Sequence, residues 1–374
     1  MSSPDLSTEF IIFLLFLACS GILALYYLFS IIPILFYNRK FNASSRGVSV
    51  VICAHFEFEN LQKLLPNLLK QKHNKFEIIV VDDRSEDGTY DYLRELENQY
   101  DNIKHVRIDR APDHISEKKF AISLGIKAAQ HEIILLTDAD CIPGSDKWIT
   151  KMTAPFSKKN IQMVIGASLY QKNKGLVNLL TRYETLVTGL MFSASALYGN
   201  PYMGLGRNLA YRKSFFLDKN GFGKHKHILG GDDDLFVNAN ATKDNTTLIL
   251  DKQATTLTYS ETSWRSYAIQ KKRHLSVGKY YKWADKLFIG FIQFVKLFFW
   301  LTFFAAILSQ FEPIYTLIAF VTVMVLLLVS LSVYKFKVGE RTRLWLLPFL
   351  EFIYLIYYLS VGLKVTFTKK IRWN

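Results

Sequence analysis

Asp138 and Asp140 stand one residue apart at the end of the apolar run Ile133-Ile134-Leu135-Leu136. The run does not alternate, which suits a parallel strand buried on both faces. Residues i and i+2 of a strand point to one side, so both carboxylates can converge on a ligand just past the strand end. Open α/β sheets bind ligands at that end, and a divalent cation carrying substrate phosphates takes one or two protein carboxylates. A second acidic cluster, Asp232-Asp233-Asp234, follows Gly230-Gly231 and precedes Leu235-Phe236. Like charges this close raise one another's pKa, which suits a general base. An acid-rich helix start, favourable to the helix dipole, accounts for the same residues without chemistry. One aspartate can cap while another reacts.

Two further loops follow apolar runs: Cys53-Ala54-His55-Phe56-Glu57 and Asp82-Asp83-Arg84-Ser85. Adjacent parallel strands would bring both to the edge that carries Asp138 and Asp140. One of Asp82 or Asp83 is expected to bind a nucleobase or ribose, as acidic residues do in dinucleotide folds. Asp87 and Gly88 are expected to be structural, marking a turn before a helix. Lys118 opens the helix before the Asp138 strand, where a lysine could neutralise phosphates, although a charged helix start is usually a solvated face. Gln270 and Arg273 share a helix face and can meet a pyrophosphate. Lys271 and Lys272 beside them read as the polar face of a basic amphipathic helix lying on a membrane.

The elements that would position these groups alternate. Strands are expected at 48–53, 77–81, 105–108 and 133–136, with helices at 59–72, 89–100 and 116–129 between them. That order argues for an α/β fold with a parallel sheet and right-handed crossovers. Beyond it, 163–167 is expected to be a strand, and 176–198 a helix against either the membrane or the core.

The flanks are apolar. Residues 10–37 are too long for a signal-peptide core and read as a retained transmembrane helix. Asp5 and Glu9 precede that helix and Arg39, Lys40 and Arg46 follow it, so the positive-inside rule puts the following domain in the cytosol, at the cell (inner) membrane. Further spans are expected at 287–308, 314–334 and 344–367, with Lys296 and Glu351 facing protein, water or an interface. Three such spans would leave Lys369, Lys370 and Arg372 outside, against their preference, so one of the three is a candidate interfacial or re-entrant helix. The expected division is an anchor at 1–46, a cytosolic domain at 47–284 and C-terminal membrane helices at 285–374. The net charge of +14 comes from 46 Lys and Arg against 32 Asp and Glu, and much of the excess flanks the apolar runs. An anionic membrane surface is thus the expected partner rather than nucleic acid. Three scattered cysteines, Cys19, Cys53 and Cys141, fit a reduced compartment.

Taken in order, these motifs resemble membrane-anchored family-2 glycosyltransferases of the GT-A fold, a Rossmann-like mixed and mostly parallel sheet, over about 48–274. Val48 to His55 looks like the family's first strand, with Cys53 where proline is usual. Val80 to Thr89 looks like its nucleotide-binding segment, and Lys118 to Gly125 like its Lys-x-x-Ala-Leu-Asn-x-Gly helix with Ser123 for asparagine. Thr137 to Pro143 fits the metal motif, and Gly204 to Arg212 resembles the segment lining the donor-sugar and acceptor cleft. Gln270 to His274 is similar to the Gln-x-x-Arg-Trp motif of processive synthases, with His274 replacing tryptophan.

The resemblance implies an inverting, single-displacement transfer from a UDP- or GDP-linked sugar to a lipid or lipid-linked glycan. Asp138 and Asp140 would hold Mg2+ or Mn2+. Ala54, Glu57, Asp82, Asp83, Lys118, Gln270 and Arg273 would contact the nucleotide sugar, with Asp138 on its diphosphate side. Counting back from Leu235 makes Asp232 the base and counting forward from Gly231 makes it Asp233, the favoured choice. Alternatives are a processive polysaccharide synthase, a nucleotidyltransferase releasing pyrophosphate, or a silent scaffold of a glycan assembly complex. The last sits poorly with clustered carboxylates, which cost stability when buried unpaired.

Overall fold

The computed structural model describes residues 7–42 and 44–367; Asp5, Lys369, Lys370 and Arg372 lie outside them. A long helix, α1 (Thr8–Leu35), leads into an alternating series: β1 (Val48–Ala54), α2 (Phe58–Leu69), β2 (Phe76–Asp83), α3 (Thr89–Gln99), β3 (Ile103–Ile108), α4 (Glu117–Ala128) and β4 (Ile133–Asp138). The periodicity behind these elements is physical. β4 buries Ile133 to Leu136 entirely, and α2 buries Leu61, Leu64, Leu65 and Leu68 along one face. Each buried leucine is worth roughly 2 kcal/mol of transfer free energy.

The chain then runs through β5 (Cys141–Pro143), α5 (Trp148–Thr153), β6 (Met163–Gly166), β7 (Ser168–Tyr170), α6 (Leu176–Leu197), β8 (Leu209–Arg212), α7 (Lys213–Asp218), α8 (Asp234–Asn240), β9 (Thr246–Ile249), β10 (Thr256–Thr258) and α9 (Trp264–Val277). The main sheet has the order β3-β2-β1-β4-β8-β6-β9, and a second sheet the order β5-β10-β7. β8 runs antiparallel to both β4 and β6, and the other main-sheet pairs are parallel. The sheet is therefore mixed: the alternating half is parallel, as its pattern implies, and β8 supplies the antiparallel pairs. β8 enters from the long helix α6, not from a crossover helix beside β4. Register levels the strand ends that matter: Cys53 pairs with Asp138 and Ala54 with Asp82.

Three long helices close the chain: α10 (Trp283–Ser309), α11 (Pro313–Val338) and α12 (Leu347–Phe367). With α1 they make four helices long and apolar enough to cross a membrane. α1 packs on α10 and α11, whereas α12 packs chiefly on α9. α6, whose surroundings the sequence left open, lies between the two regions, against α1 and α11 on one side and β7 and β9 on the other. Its residues Arg182, Tyr183 and Glu184 each reach a different element: Arg182 pairs with Glu340, the Tyr183 hydroxyl donates to Glu351, and Glu184 accepts from Tyr267. Lys296 of α10 and Glu351 of α12 pair with each other at 2.8 Å, both fully buried. α11 returns to the sheet domain at Gly339, a left-handed C-cap (φ +79°) where a Cβ would stand 2.8 Å from Lys252 Cβ.

Candidate active site

The end of β4 delivers Asp138, and the turn into β5 delivers Asp140. The second sheet fixes the latter: Thr258 at the end of β10 donates to Asp140 Oδ2 at 2.9 Å. α4 brings a cation to the pair. Its first turn is pinned by Lys119, buried with Nζ donating to the carbonyls of His225 and Ile228 at 2.7 and 2.8 Å. Lys118 is thereby aimed at the strand end, where Nζ lies 2.9 Å from Asp138 Oδ1 and 3.3 Å from Asp232 Oδ2. The solvated reading of Lys118 is corrected: it bridges the two acidic clusters. Burial opposes ionisation of Asp138, but the Lys118 ammonium outweighs it and holds that carboxyl below the usual range. Burial, and then the neighbouring Asp138, push Asp140 up.

The second cluster depends on Gly231, whose φ of +70° and a would-be Cβ 2.6 Å from Leu235 Cδ1 leave room for glycine only. Asp233 caps α8, accepting from the Asp234 amide at 2.7 Å and from the Gly206 amide at 2.6 Å. Asp234 accepts from the Tyr281 hydroxyl at 2.7 Å. Burial raises the Asp233 carboxyl, with Asp232 adding to it; burial and then Asp233 raise Asp234 well above its ordinary value. The expected mutual repulsion is present, and so is the cap, both in Asp233.

One cavity of about 500 Å³ is lined by Lys118, Asp138, Asp140, Asp232, Asp233, Asp234, Gln270 and Arg273 together with Arg207 and His274. Arg207 stacks on Tyr170 at 4.7 Å and, with Arg273, acts on the Asp138 charge. Lys271 does not face outward as its amphipathic reading required. It pairs with Glu184 of α6 at 2.7 Å and is nearly buried, because Glu184 would otherwise be an uncompensated interior charge. His274, in tryptophan's expected place, is held well below its ordinary pKa by burial and then by Lys271 and Arg273.

Ala54, Glu57, Asp82 and Asp83 stand beside this cavity and do not line it. Ala54 is buried at the end of β1 opposite Asp82. Asp82 is fully buried; Oδ1 accepts from the Ser85 amide at 3.2 Å, and Oδ2 faces His105 Nε2 at 4.0 Å. Asp83 is held by Arg84 Nε at 2.8 Å, and Arg84 also reaches Glu117. Burial, offset by an Asn60 hydrogen bond, raises Glu57, and Asp140 and Asp138 add to the rise. Arg84 and Phe56 adopt left-handed backbone angles without being glycine, strain of a kind that concentrates at functional loops.

The glycosyl transferase family 2 model matches residues 49–217. Those residues are a family-2 glycosyltransferase domain. The glycosyltransferase AglE of Haloferax volcanii is 30% identical over 32% of this chain and 38% of its own length. The beta-monoglucosyldiacylglycerol synthase of Trichormus variabilis is 32% identical over 29% of this chain and 24% of its own length. The chain thus spans well under half of the curated relatives it matches. The mannosyltransferase PcManGT of Pyrobaculum calidifontis, solved with GDP-Man and Mn2+, aligns over 97% of this chain and 99% of its own at a TM-score of 0.63 and 16% identity. That likeness establishes a shared GT-A-like fold.

Several cavity residues of the glycosyltransferase domain and its flanks had no assigned role in the sequence reading. Arg207 sat inside a quoted segment without one. Thr258 lies on a three-residue strand with no pattern to announce it, and Tyr281, Tyr202 and Gln293 are single polar groups in aromatic or apolar surroundings.

Proposed function

We propose that the chain is an inverting glycosyltransferase that moves a sugar from a UDP- or GDP-linked donor to a lipid or lipid-linked glycan at the cytosolic membrane face. The observation that carries the reading is the cavity itself: Asp138 and Asp140 on one wall, Asp232 to Asp234 on another, and α6, α10 and α12 closing it toward the apolar helices. Asp138 and Asp140 fit Mg2+ or Mn2+ in chemistry. They are hard oxygen donors, Asp140 raised by burial and then by Asp138, and no cluster of three ligating side chains occurs among the described residues. The remaining positions would fall to diphosphate and water, as such ions prefer. When bound, the ion supplies positive charge against the leaving diphosphate.

The chain's own groups supply the rest. Arg207 and Arg273, with Lys118, would balance diphosphate charge on the Asp138 side. Asp82 or Asp83, with Ala54 and Glu57 at the β1 end, would hold the nucleoside. Gln270 would bond donor or acceptor oxygens. Asp233, a stronger base for the rise that burial and Asp232 give it, would take the acceptor proton, and its bond to the Gly206 amide fixes its aim.

The same reading gives the domain at 47–284 a cytosolic location between an anchor at 1–46 and the helices at 285–374, in the cell (inner) membrane. α1, α10 and α11 would span, with α12 lying along α9 at the interface. The test is nucleoside diphosphate release by the detergent-purified full chain. UDP- and GDP-sugars would be supplied with Mg2+ or Mn2+, with and without lipid extract. Metal-dependent release with one sugar added to a lipid supports the proposal; release of pyrophosphate, or of nothing with any donor, overturns it.

A further inference from the structure

The cavity continues past the acidic cluster. Asp232 faces Asp138 through Lys118, and Asp234 is bonded to Tyr281, whose ring packs 6.3 Å from that of Tyr202. Beyond this point the wall is made by Tyr202, Ile289, Gln293, Tyr354 and Tyr358. Gln293 and Tyr202 are 8% and 2% exposed, and among the described residues Gln293 Oε1 and the Tyr202 hydroxyl have no hydrogen-bond partner. Native proteins pair nearly all buried polar atoms. Two left open on one cavity wall mark where a ligand's polar groups belong.

We infer that this end of the cavity is the acceptor subsite and that it takes the sugar head group of a neutral glycolipid, not a lipid phosphate. The inference rests on the transferase reading above and narrows its acceptor. A carboxamide that can both donate and accept, beside tyrosine hydroxyls and ring faces, suits a polyol with hydroxyls at its rim and an apolar C–H face. A phosphate asks for the opposite surroundings. Here it would bring negative charge beside three aspartates, and two of the lysines that line the cavity are already paired with carboxylates, Lys118 with Asp138 and Asp232 and Lys271 with Glu184; Lys286, which lies over the Trp283 ring, is a single cation against those three charges. Arg207 and Arg273 act on Asp138, at the donor end.

The reaction agrees with the wall. An alcohol must lose a proton, and the aspartates are there to take it, whereas a phosphate monoester is already an anion at neutral pH. The acceptor oxygen bonds the donor's anomeric carbon, the bond from that carbon to the diphosphate oxygen breaks, and the nucleoside diphosphate leaves with the electron pair. The hydroxyl proton passes to an aspartate carboxylate.

The test uses the full chain in nanodiscs with UDP-glucose, UDP-N-acetylglucosamine or GDP-mannose and Mn2+. It is offered either a monohexosyl diacylglycerol or a polyprenyl monophosphate. Transfer to the glycolipid should exceed transfer to the polyprenyl phosphate by at least tenfold in kcat/KM. Gln293→Leu should raise the glycolipid KM about tenfold, and Tyr202→Phe should move it less in the same direction, with the donor KM within twofold for both. Preference for the polyprenyl phosphate overturns the inference, as does an unmoved glycolipid KM in both variants. If nucleoside diphosphate is released and neither lipid is glycosylated, the inference alone fails. No release with any donor removes the transferase reading and the inference with it.

Discussion

Asp138 and Asp232, delivered by β4 and by the turn before α8, share one cation, the Lys118 ammonium, at 2.9 and 3.3 Å. The contact joins the Asp138 side of the cavity to its acidic wall. Replacing it leaves two part-buried carboxylates facing each other. Lys118→Met should lower nucleoside diphosphate release on the order of 100-fold, the scale of losing one charge-stabilising group. It should also lower thermal stability by about 2 kcal/mol, that of a hydrogen bond between charged groups. A melting curve beside the release assay checks both.

Asp138→Ala and Asp140→Ala should each abolish metal-dependent donor turnover, and calorimetric Mn2+ titration in the presence of nucleoside diphosphate should lose its signal. Thr258→Val removes only the hydrogen bond to Asp140 Oδ2. It should weaken Mn2+ about tenfold, within the range typical of groups that orient metal ligands. Turnover retained by both aspartate variants removes the metal assignment.

Much of this arrangement is legible in the sequence. Apolar runs mark β1, β2 and β4, the last two ending in aspartates, since a strand buried on both faces has few other ways to read. Pairing at a distance is not. That Lys271 turns inward depends on Glu184, and that Lys296 needs no solvent depends on Glu351; neither partner is near in sequence. β5, β7 and β10 have three residues each, too short for any periodicity.

Asp233→Asn should cost about 10²- to 10⁴-fold in kcat, the scale of general-base loss. The pH profile carries the sign. Because burial and Asp232 raise the Asp233 carboxyl, it is protonated and idle at low pH. kcat/KM should therefore climb with pH through a limb above the ordinary aspartate value of 3.8, and flatten once Asp233 is ionised. The limb should vanish in Asp233→Asn. If Asp232→Asn is the variant that removes it, the base is Asp232.

Lys296 and Glu351 are both 3% exposed and joined at 2.8 Å between two apolar helices. Removing one partner strands a charge, so Glu351→Ala should destabilise by about 3–5 kcal/mol. Lys296→Met combined with Glu351→Met should recover part of that loss, since apolar groups of similar volume can serve such a position as well as an ion pair, while the Tyr183 hydroxyl still loses its acceptor. Thermal melts of the three variants in one detergent decide between a structural pair and a dispensable one.

The position of α12 bears on which side of the membrane the chain ends. Tyr357 stacks on Tyr267 of α9 at 4.8 Å and lies 6.0 Å from Trp264, both on the helix that carries Gln270 and Arg273. A helix that leaves the domain to cross a bilayer would not keep such contacts ten residues from its start. Under the proposed topology, with α1, α10 and α11 crossing and α12 at the interface, the end of α12 would stay on the cytosolic side with Arg39 and Lys40, the side that the positive-inside rule favours for basic residues. A C-terminal epitope should then be digested by protease in inside-out vesicles and protected in right-side-out ones. Trp264→Ala should raise the donor KM by loosening α9 while leaving that protection pattern unchanged. Protection in inside-out vesicles would mean that α12 crosses, and the interfacial assignment would fall.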